Sequence, residues 1–158
     1  MIILGIDPGI ARMGWGVVSS ENNKMTAVAY DCFTTEKETA EEIRLAQIFE
    51  SMSELIATYK PEVVSVEKLF FASNAKTALL VGQARGAILL ACGRKKIPVR
   101  SFTPLEVKMA LTSYGRADKG QVQRMVQSTL GLSKIPQPDD IADALAIAIT
   151  CGVMKSFL

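Results

Sequence analysis

The 158-residue chain contains no histidine. That excludes Ser-His and Cys-His nucleophilic pairs, imidazole bases and histidine-ligated metals, so catalysis here would have to run on carboxylates, lysines and metal ions. Cysteine is scarce: Cys32, Cys92 and Cys151 are odd in number and far apart. They fit neither a disulfide framework nor a zinc spacing and read as core or bystander thiols, which makes a reducing cytoplasm the expected compartment. No uninterrupted apolar run reaches the ~18–20 residues of a membrane span. The opening MIILGIDPG lacks the basic start and cleavage site of a signal peptide, so it is expected to form a first strand, with no membrane association. Repeats, linkers and low-complexity segments are also missing. One domain over 1–158, with a substantial core, is the expectation.

Charge is present but uneven. The net balance is +2, yet residues 72–134 hold eleven Lys or Arg against two acids, Glu106 and Asp118, a local balance of +9. Residues 1–71 come to −5 and residues 135–158 to −2. A basic middle of that density points to a polyanionic partner, with a solvated helical surface as the plain alternative.

The hydrophobic pattern gives the order of elements. Ile2–Ile6 is a short apolar run of the buried-strand kind, broken by Asp7-Pro8-Gly9. Trp15–Ser20 and Met25–Thr34 read as strands joined by a turn at Glu21-Asn22-Asn23-Lys24. Apolar residues recur at helical spacing over Thr39–Tyr59, with acids in the first turn and Pro61 as terminator. Val63–Val66 is a further buried strand, closing on Glu67. Ala75–Cys92 is a long helix with Gly93 as its expected cap, and Ile97–Phe102 a last strand. Helices from Pro104 to about Leu111, from Lys119 to Leu130 and from Asp140 to about Val153 complete the chain. A meander followed by crossovers predicts an α/β fold: a mixed sheet with helices on both faces.

The chemistry concentrates in carboxylates. Asp7 and Glu67 each follow an apolar strand, at the strand ends where ligands gather in α/β sheets. If the two strands are neighbours, both acids point at one spot and repel unless a cation lies between them. Asp140 and Asp143 are three apart and share a helical face, on a helix apolar nearly all round whose alanines allow close packing on the sheet. Taken singly, Asp7 could be a turn residue, and Asp140, or Asp139 beside it, could cap the helix after Pro138. Asp139 also lies four before Asp143 and could reach its face. Oxygen ligands without histidine or paired cysteine suit Mg²⁺ or Mn²⁺. Two such ions ~3.5–4 Å apart activate water and stabilise the leaving oxygen in phosphodiester hydrolysis.

Five segments, in order, resemble one family: Gly-Ile-Asp-Pro-Gly with Gly14 and Gly16, Val-Glu-Lys-Leu-Phe-Phe at 66–71, Gly-Gln-Ala-Arg-Gly at 82–86, Lys-Gly-Gln-Val-Gln at 119–123, and Asp-Ile-Ala-Asp-Ala-Leu-Ala at 140–146. Across nearly its whole length the chain resembles the RuvC-type Holliday junction resolvases. The resemblance implies a ribonuclease-H-like, mixed five-stranded sheet flanked by helices on both faces. It also implies a structure-selective, Mg²⁺-dependent endonuclease that cuts four-way DNA junctions symmetrically in recombination and repair, with two Mg²⁺ per site and Mn²⁺ able to substitute. Asp7, Glu67, Asp140 and Asp143 are then the metal ligands, which selects Asp140 over Asp139. Lys108 and Lys119 are implied beside the scissile phosphate, Lys119 with a catalytic role. Phe70 is implied as a residue that stacks on bases, with Phe71 in the core.

Lys76, Arg85 and Arg116 are further expected DNA contacts. Arg85 and Gln83 are open between DNA and a homodimer interface around the long helix. A branch-migration motor is the implied partner, in a bacterial cytoplasm at the nucleoid. One departure from the family pattern is Ser113, where a glycine is usual, followed by Tyr114, Gly115 and Arg116. A stiffer loop with an added arginine there bears on sequence preference or loop closure, not on the metal site. Sugar kinase, actin and chaperone ATPases share Gly-Ile-Asp but need two such domains. A binding-only relative would lack some carboxylates, and the RNA-acting YqgF-type relatives match less well at Phe-Phe and Lys119.

Overall fold

The computed structural model describes residues 1–68 and 75–154. Strands β1 (Ile2–Asp7), β2 (Arg12–Glu21) and β3 (Lys24–Thr34) form an antiparallel meander, and β4 (Val63–Glu67) and β5 (Val99–Phe102) extend it in parallel on the other side of β1. The strand order is β3-β2-β1-β4-β5, the mixed five-stranded sheet expected. The helices are α1 (Glu41–Tyr59), α2 (Ala75–Arg94), α3 (Pro104–Thr112), α4 (Lys119–Leu130) and α5 (Asp139–Val153).

Local chemistry sets the breaks. Asn22 and Asn23 both take positive φ, 49° and 61°, which a tight hairpin needs and asparagine tolerates. Lys60 turns left-handed to end α1, its N–H donating to the Ile56 carbonyl, just before Pro61. Reciprocal capping boxes start α3 (Thr103 with Glu106) and α4 (Asp118 with Gln121). Several boundaries differ from the expectation, three of them for reasons the local chemistry shows. Strand β2 begins at Arg12 because the glycine-rich stretch that resembles a loop is paired, Gly14 lying opposite Asp7. Strand β5 begins only at Val99, since Pro98 has no N–H to give the ladder. Helix α2 runs through Gly93, and Lys96 (φ 55°) makes the turn instead.

Helix α2 bears on membrane association. By length and composition it is apolar enough to cross a membrane, and 22% of its apolar stretch is buried. Counting uninterrupted runs overlooked it because Gln83 and Arg85 interrupt its apolar surface, and both side chains are engaged within the chain.

The sheet is buried on both faces, and its two-residue alternation divides the core. Leu4, Ile6, Val17, Val64 and Val66 pack under α1 and α2 with Ile48, Met52, Ala84 and Ile88. Ile3, Val18, Val63 and Phe102 pack under α3, α4 and α5 with Val107, Val126, Leu145 and Ile149. Helix α5 is buried almost all round, from Ile141 to Cys151. Burying each of its large aliphatic side chains stabilises the fold by ~1.5–3 kcal/mol. It lies against glycines: a Cβ at Gly5 would collide with the Ala144 carbonyl, one at Gly14 with the Asp140 carbonyl, and one at Gly16 with the Leu145 side chain. That close seat fixes where the first turn of α5 projects.

Candidate active site

Asp7 ends β1 on the face shared by Ile3 and Gly5, toward α5. Glu67 follows Val66, the partner of Ile6, and alternates onto the same face as Val63 and Ser65. The end of the sheet therefore reads Glu67, Asp7, Gly14 and Cys32 across four strands, the last two joined to Asp7 by direct register. Because Gly14 has no side chain, the Asp140 backbone sits directly over it. Asp143 lies one turn further along α5. The four expected carboxylates are thus gathered at one corner.

The helix-cap reading of Asp139 and Asp140 is excluded: Pro138 holds the cap position, no side chain caps the helix, and both aspartates lie in its first turn. Their environments separate them. Asp140 is 20% exposed by side chain, against 44% for Asp139. Asp140 Oδ2 accepts no hydrogen bond although it is shut off from solvent; Arg12 Nη2 is 3.3 Å away in an ion pair. Arg12 was not anticipated. The strand register that brings Arg12, the third residue after the Asp-Pro-Gly turn, beside Asp140 was the missing signal.

The cluster is electrostatically strained. Burial, then the negative charges of Glu67, Asp143 and Asp140, push the Asp7 carboxyl up to about 8, against a pull downward from Lys119. Burial and Asp143 raise Glu67, and burial raises Asp143, each again opposed by Lys119. Lys119, at the first turn of α4, donates to Asp139 Oδ2 at 2.5 Å and Asp143 Oδ2 at 3.0 Å. Burial disfavours its charge, but those two hydrogen bonds outweigh it and hold the ammonium above its ordinary range. The same contact holds Asp139 below the usual carboxylate range.

Beside the corner opens a cavity of about 210 Å³ lined by Glu67, Asp143, Lys108 and Lys119, with Val107 and Val122 among the apolar walls. Both expected lysines therefore face the carboxylates. The other anticipated contacts are dispersed. Lys76 is exposed in the first turn of α2, and Arg116 is exposed in the turn before α4. Gln83 Nε2 donates to Glu41 Oε1 at 2.7 Å, bridging α2 and α1. The Arg85 guanidinium is turned into the fold, to the Glu67 carbonyl and the Ser101 hydroxyl. Phe70 and Phe71 lie outside the described residues.

The donor set fits hard divalent cations: carboxylate oxygens only, mutually repelling, one of them buried without a hydrogen bond. Among the described residues, no three acidic or cysteine side chains converge to metal-ligand spacing. Repulsion among like charges and the hold of Lys119 on Asp143 both favour that separation.

Comparison with known proteins places this geometry. The family profile described as "Crossover junction endodeoxyribonuclease RuvC" matches residues 3–151. A protein of that description from Brevibacillus brevis is 50% identical over 158 residues, covering 100% of this chain and 95% of its own. The solved structure of Thermus thermophilus RuvC superposes with a TM-score of 0.93 at 36% identity, covering 99% of this chain and 96% of that one. The same protein in complex with Holliday junction substrate gives 0.91 at 35%, with coverage of 99% and 96%.

Proposed function

The chain belongs to the RuvC family of crossover junction endodeoxyribonucleases, and from that membership we propose that it hydrolyses phosphodiester bonds at four-way DNA junctions with Mg²⁺ bound by Asp7, Glu67, Asp140 and Asp143. The observation that carries this reading is the corner itself. Two strand-end acids stand in one row of the sheet, and two helix acids are lowered onto that row over Gly14. A fold-stabilising role does not account for the cluster, since burial and neighbouring negative charge oppose ionisation of Asp7, Glu67 and Asp143.

Divalent cations, two per site and with Mn²⁺ able to substitute, supply the Lewis acidity for water activation and for neutralising phosphate charge. The protein's own groups do the rest. Asp7 is held by its pairing with Gly14, Glu67 by its pairing with Phe102, and Asp140 and Asp143 by the buried α5, so the four acids are brought to one corner before substrate arrives. Lys119 stays charged and, by exchanging an aspartate for a phosphate oxygen, can stabilise the negative transition state. Lys108, on the same cavity wall, faces the path of the DNA backbone. Arg116 and Lys76 extend the basic surface away from the corner, and Phe70 is assigned by the family resemblance to base stacking.

Helix α2 supports a homodimer. Leu79 (63% exposed) and Leu90 (59%) lie on one uncovered face with Gly86 and Gly93, above which a second helix has open space. A two-fold axis there gives one active site for each of two like strands. Partnership with a branch-migration motor rests on family membership.

The test incubates labelled mobile four-way junction and matched linear duplex with the protein, with and without Mg²⁺, beside Asp140→Asn. Paired symmetric nicks on the junction alone, dependent on metal and lost in the variant, are expected. Tight binding without cleavage in Mg²⁺ or Mn²⁺ would mark a binding module instead. Equal cleavage of duplex would mark a general nuclease.

A further inference from the structure

We propose that Arg85 is a positioning residue for Glu67: its guanidinium splints the end of β4 to β5 and so sets the carboxylate's aim, rather than contacting DNA. The inference rests on the metal-site reading above. Val66, paired with Ile6, is the last residue of β4 in register with β1. Glu67 therefore keeps only its β5 side, through pairing with Phe102 and the bond from Lys68 N to the Phe102 carbonyl at 2.8 Å. Glu67 is thus mounted on a strand end held from one side, by an edge strand of four residues.

Arg85 reinforces that place. From the middle of α2, its Nε donates to the Glu67 main-chain carbonyl (3.4 Å) and its Nη2 to Ser101 Oγ (2.9 Å). Ser101 pairs with Val66 across the β4–β5 ladder. One planar group thus ties together α2, the last residue of β4 and the middle of β5. A guanidinium suits this because its donors are set in a rigid fork; lysine, a single point charge, reaches one acceptor at a time. The bonds go to backbone and hydroxyl, not to the Glu67 carboxylate, so Arg85 acts on the ligand's position. Groups that orient a metal ligand in this way typically change metal affinity or activity by ~10–100-fold when removed.

The experiment compares wild type with Arg85→Ala, Arg85→Lys and Ser101→Ala in three measurements. These are Mn²⁺ binding to the DNA-free protein by electron paramagnetic resonance, junction affinity in Ca²⁺, and cleavage rate against Mg²⁺ concentration. Arg85→Ala is expected to weaken Mn²⁺ binding and raise the Mg²⁺ concentration for half-maximal rate by ~10-fold or more, with junction affinity within ~2-fold. Arg85→Lys should recover part of the loss. Ser101→Ala should shift the metal dependence in the same direction by less. If Arg85→Ala fails to fold, as melting would reveal, the lysine and serine variants decide the question on the same readouts. Junction affinity lost with metal dependence unchanged would overturn the proposal in favour of a DNA contact. No change in any measurement would overturn it as well. The Mn²⁺ measurement needs no substrate, so it stands even if wild type proves not to cut junctions.

Discussion

Asp7→Asn should make the metal-free protein more stable and cleavage-dead at once. The native Asp7 carboxyl is pushed from 3.8 to about 8, so between those values the folded protein holds a proton that the unfolded chain releases. Stability then falls as pH rises through that window, because the native state binds more protons than the unfolded one. At pH 7 the gap from 3.8 is roughly three pK units, which at ~1.36 kcal/mol each sets an upper bound of about 4 kcal/mol. Local relaxation reduces it, so ~2–4 kcal/mol is the working expectation, shrinking below ~1 kcal/mol at pH 4.5. Asparagine keeps the shape and has no proton to hold. At ~2–4 °C per kcal/mol for a chain of this size, melting should rise by roughly 4–16 °C near pH 7 and hardly at pH 4.5.

The assay is thermal unfolding of EDTA-stripped wild type and variant at pH 4.5, 6 and 7.5, repeated with Mg²⁺. Metal should raise the wild-type melting temperature and move the variant much less, because ligand binding to the native state stabilises by mass action. A variant no more stable than wild type at pH 7.5 would refute the reasoning, as would a gain of equal size at every pH. Either result would mean that burial and the neighbouring carboxylates do not hold a proton on Asp7.

Gly14→Ala places a Cβ against the Asp140 carbonyl; overpacking of this kind costs ~1–3 kcal/mol. Because the displaced atoms belong to a ligand-bearing turn, cleavage should fall far more than stability does, as melting and single-turnover rates on one preparation would reveal. Lys119→Gln should lower the cleavage rate by ~10²-fold or more, the usual loss when one transition-state donor is removed. Lys119 also pulls down Asp7, Glu67 and Asp143, so without it these acids ionise at higher pH. The acidic limb of the rate–pH profile should then move upward, and a limb that stays in place would show that Lys119 acts on the phosphate alone.

Much of this was legible in the sequence because the informative signals are local. Short apolar runs, turn residues and helical spacing located the ten elements of the described residues, and four acids at strand ends or near the start of the last helix stood out against apolar surroundings. What was not legible depends on register. That Gly14 lies opposite Asp7 and under Asp140 is a pairing fact, invisible in a stretch whose glycines resemble a loop. The Arg12–Asp140 pair and the Lys119–Asp139 contact join residues 128 and 20 positions apart and needed the sheet and α4 to be placed first. Arg85 shows the limit most clearly. Its charge and helix suggested a surface role, whereas its two bonds run inward to Glu67 and Ser101.

The same geometry explains why a histidine-free site needs so apolar a helix. Four carboxylates at one corner oppose folding, with Asp7 alone contributing a penalty of up to about 4 kcal/mol at neutral pH. Something covalently continuous with Asp140 and Asp143 must outweigh that, or the first turn of α5 would swing away from the sheet. Ile141, Leu145 and Ile149, all buried on that helix, stabilise by ~1.5–3 kcal/mol each, enough to outweigh it. The glycines of β1 and β2 let that packing occur at backbone distance, so the apolar force that closes the fold also presses like charges together. Lys119 and Arg12 relieve part of the repulsion from the rim. Among the described residues neither reaches Asp7, the most perturbed group, with an ion pair, and the negative potential left at the centre would suit a small, highly charged cation.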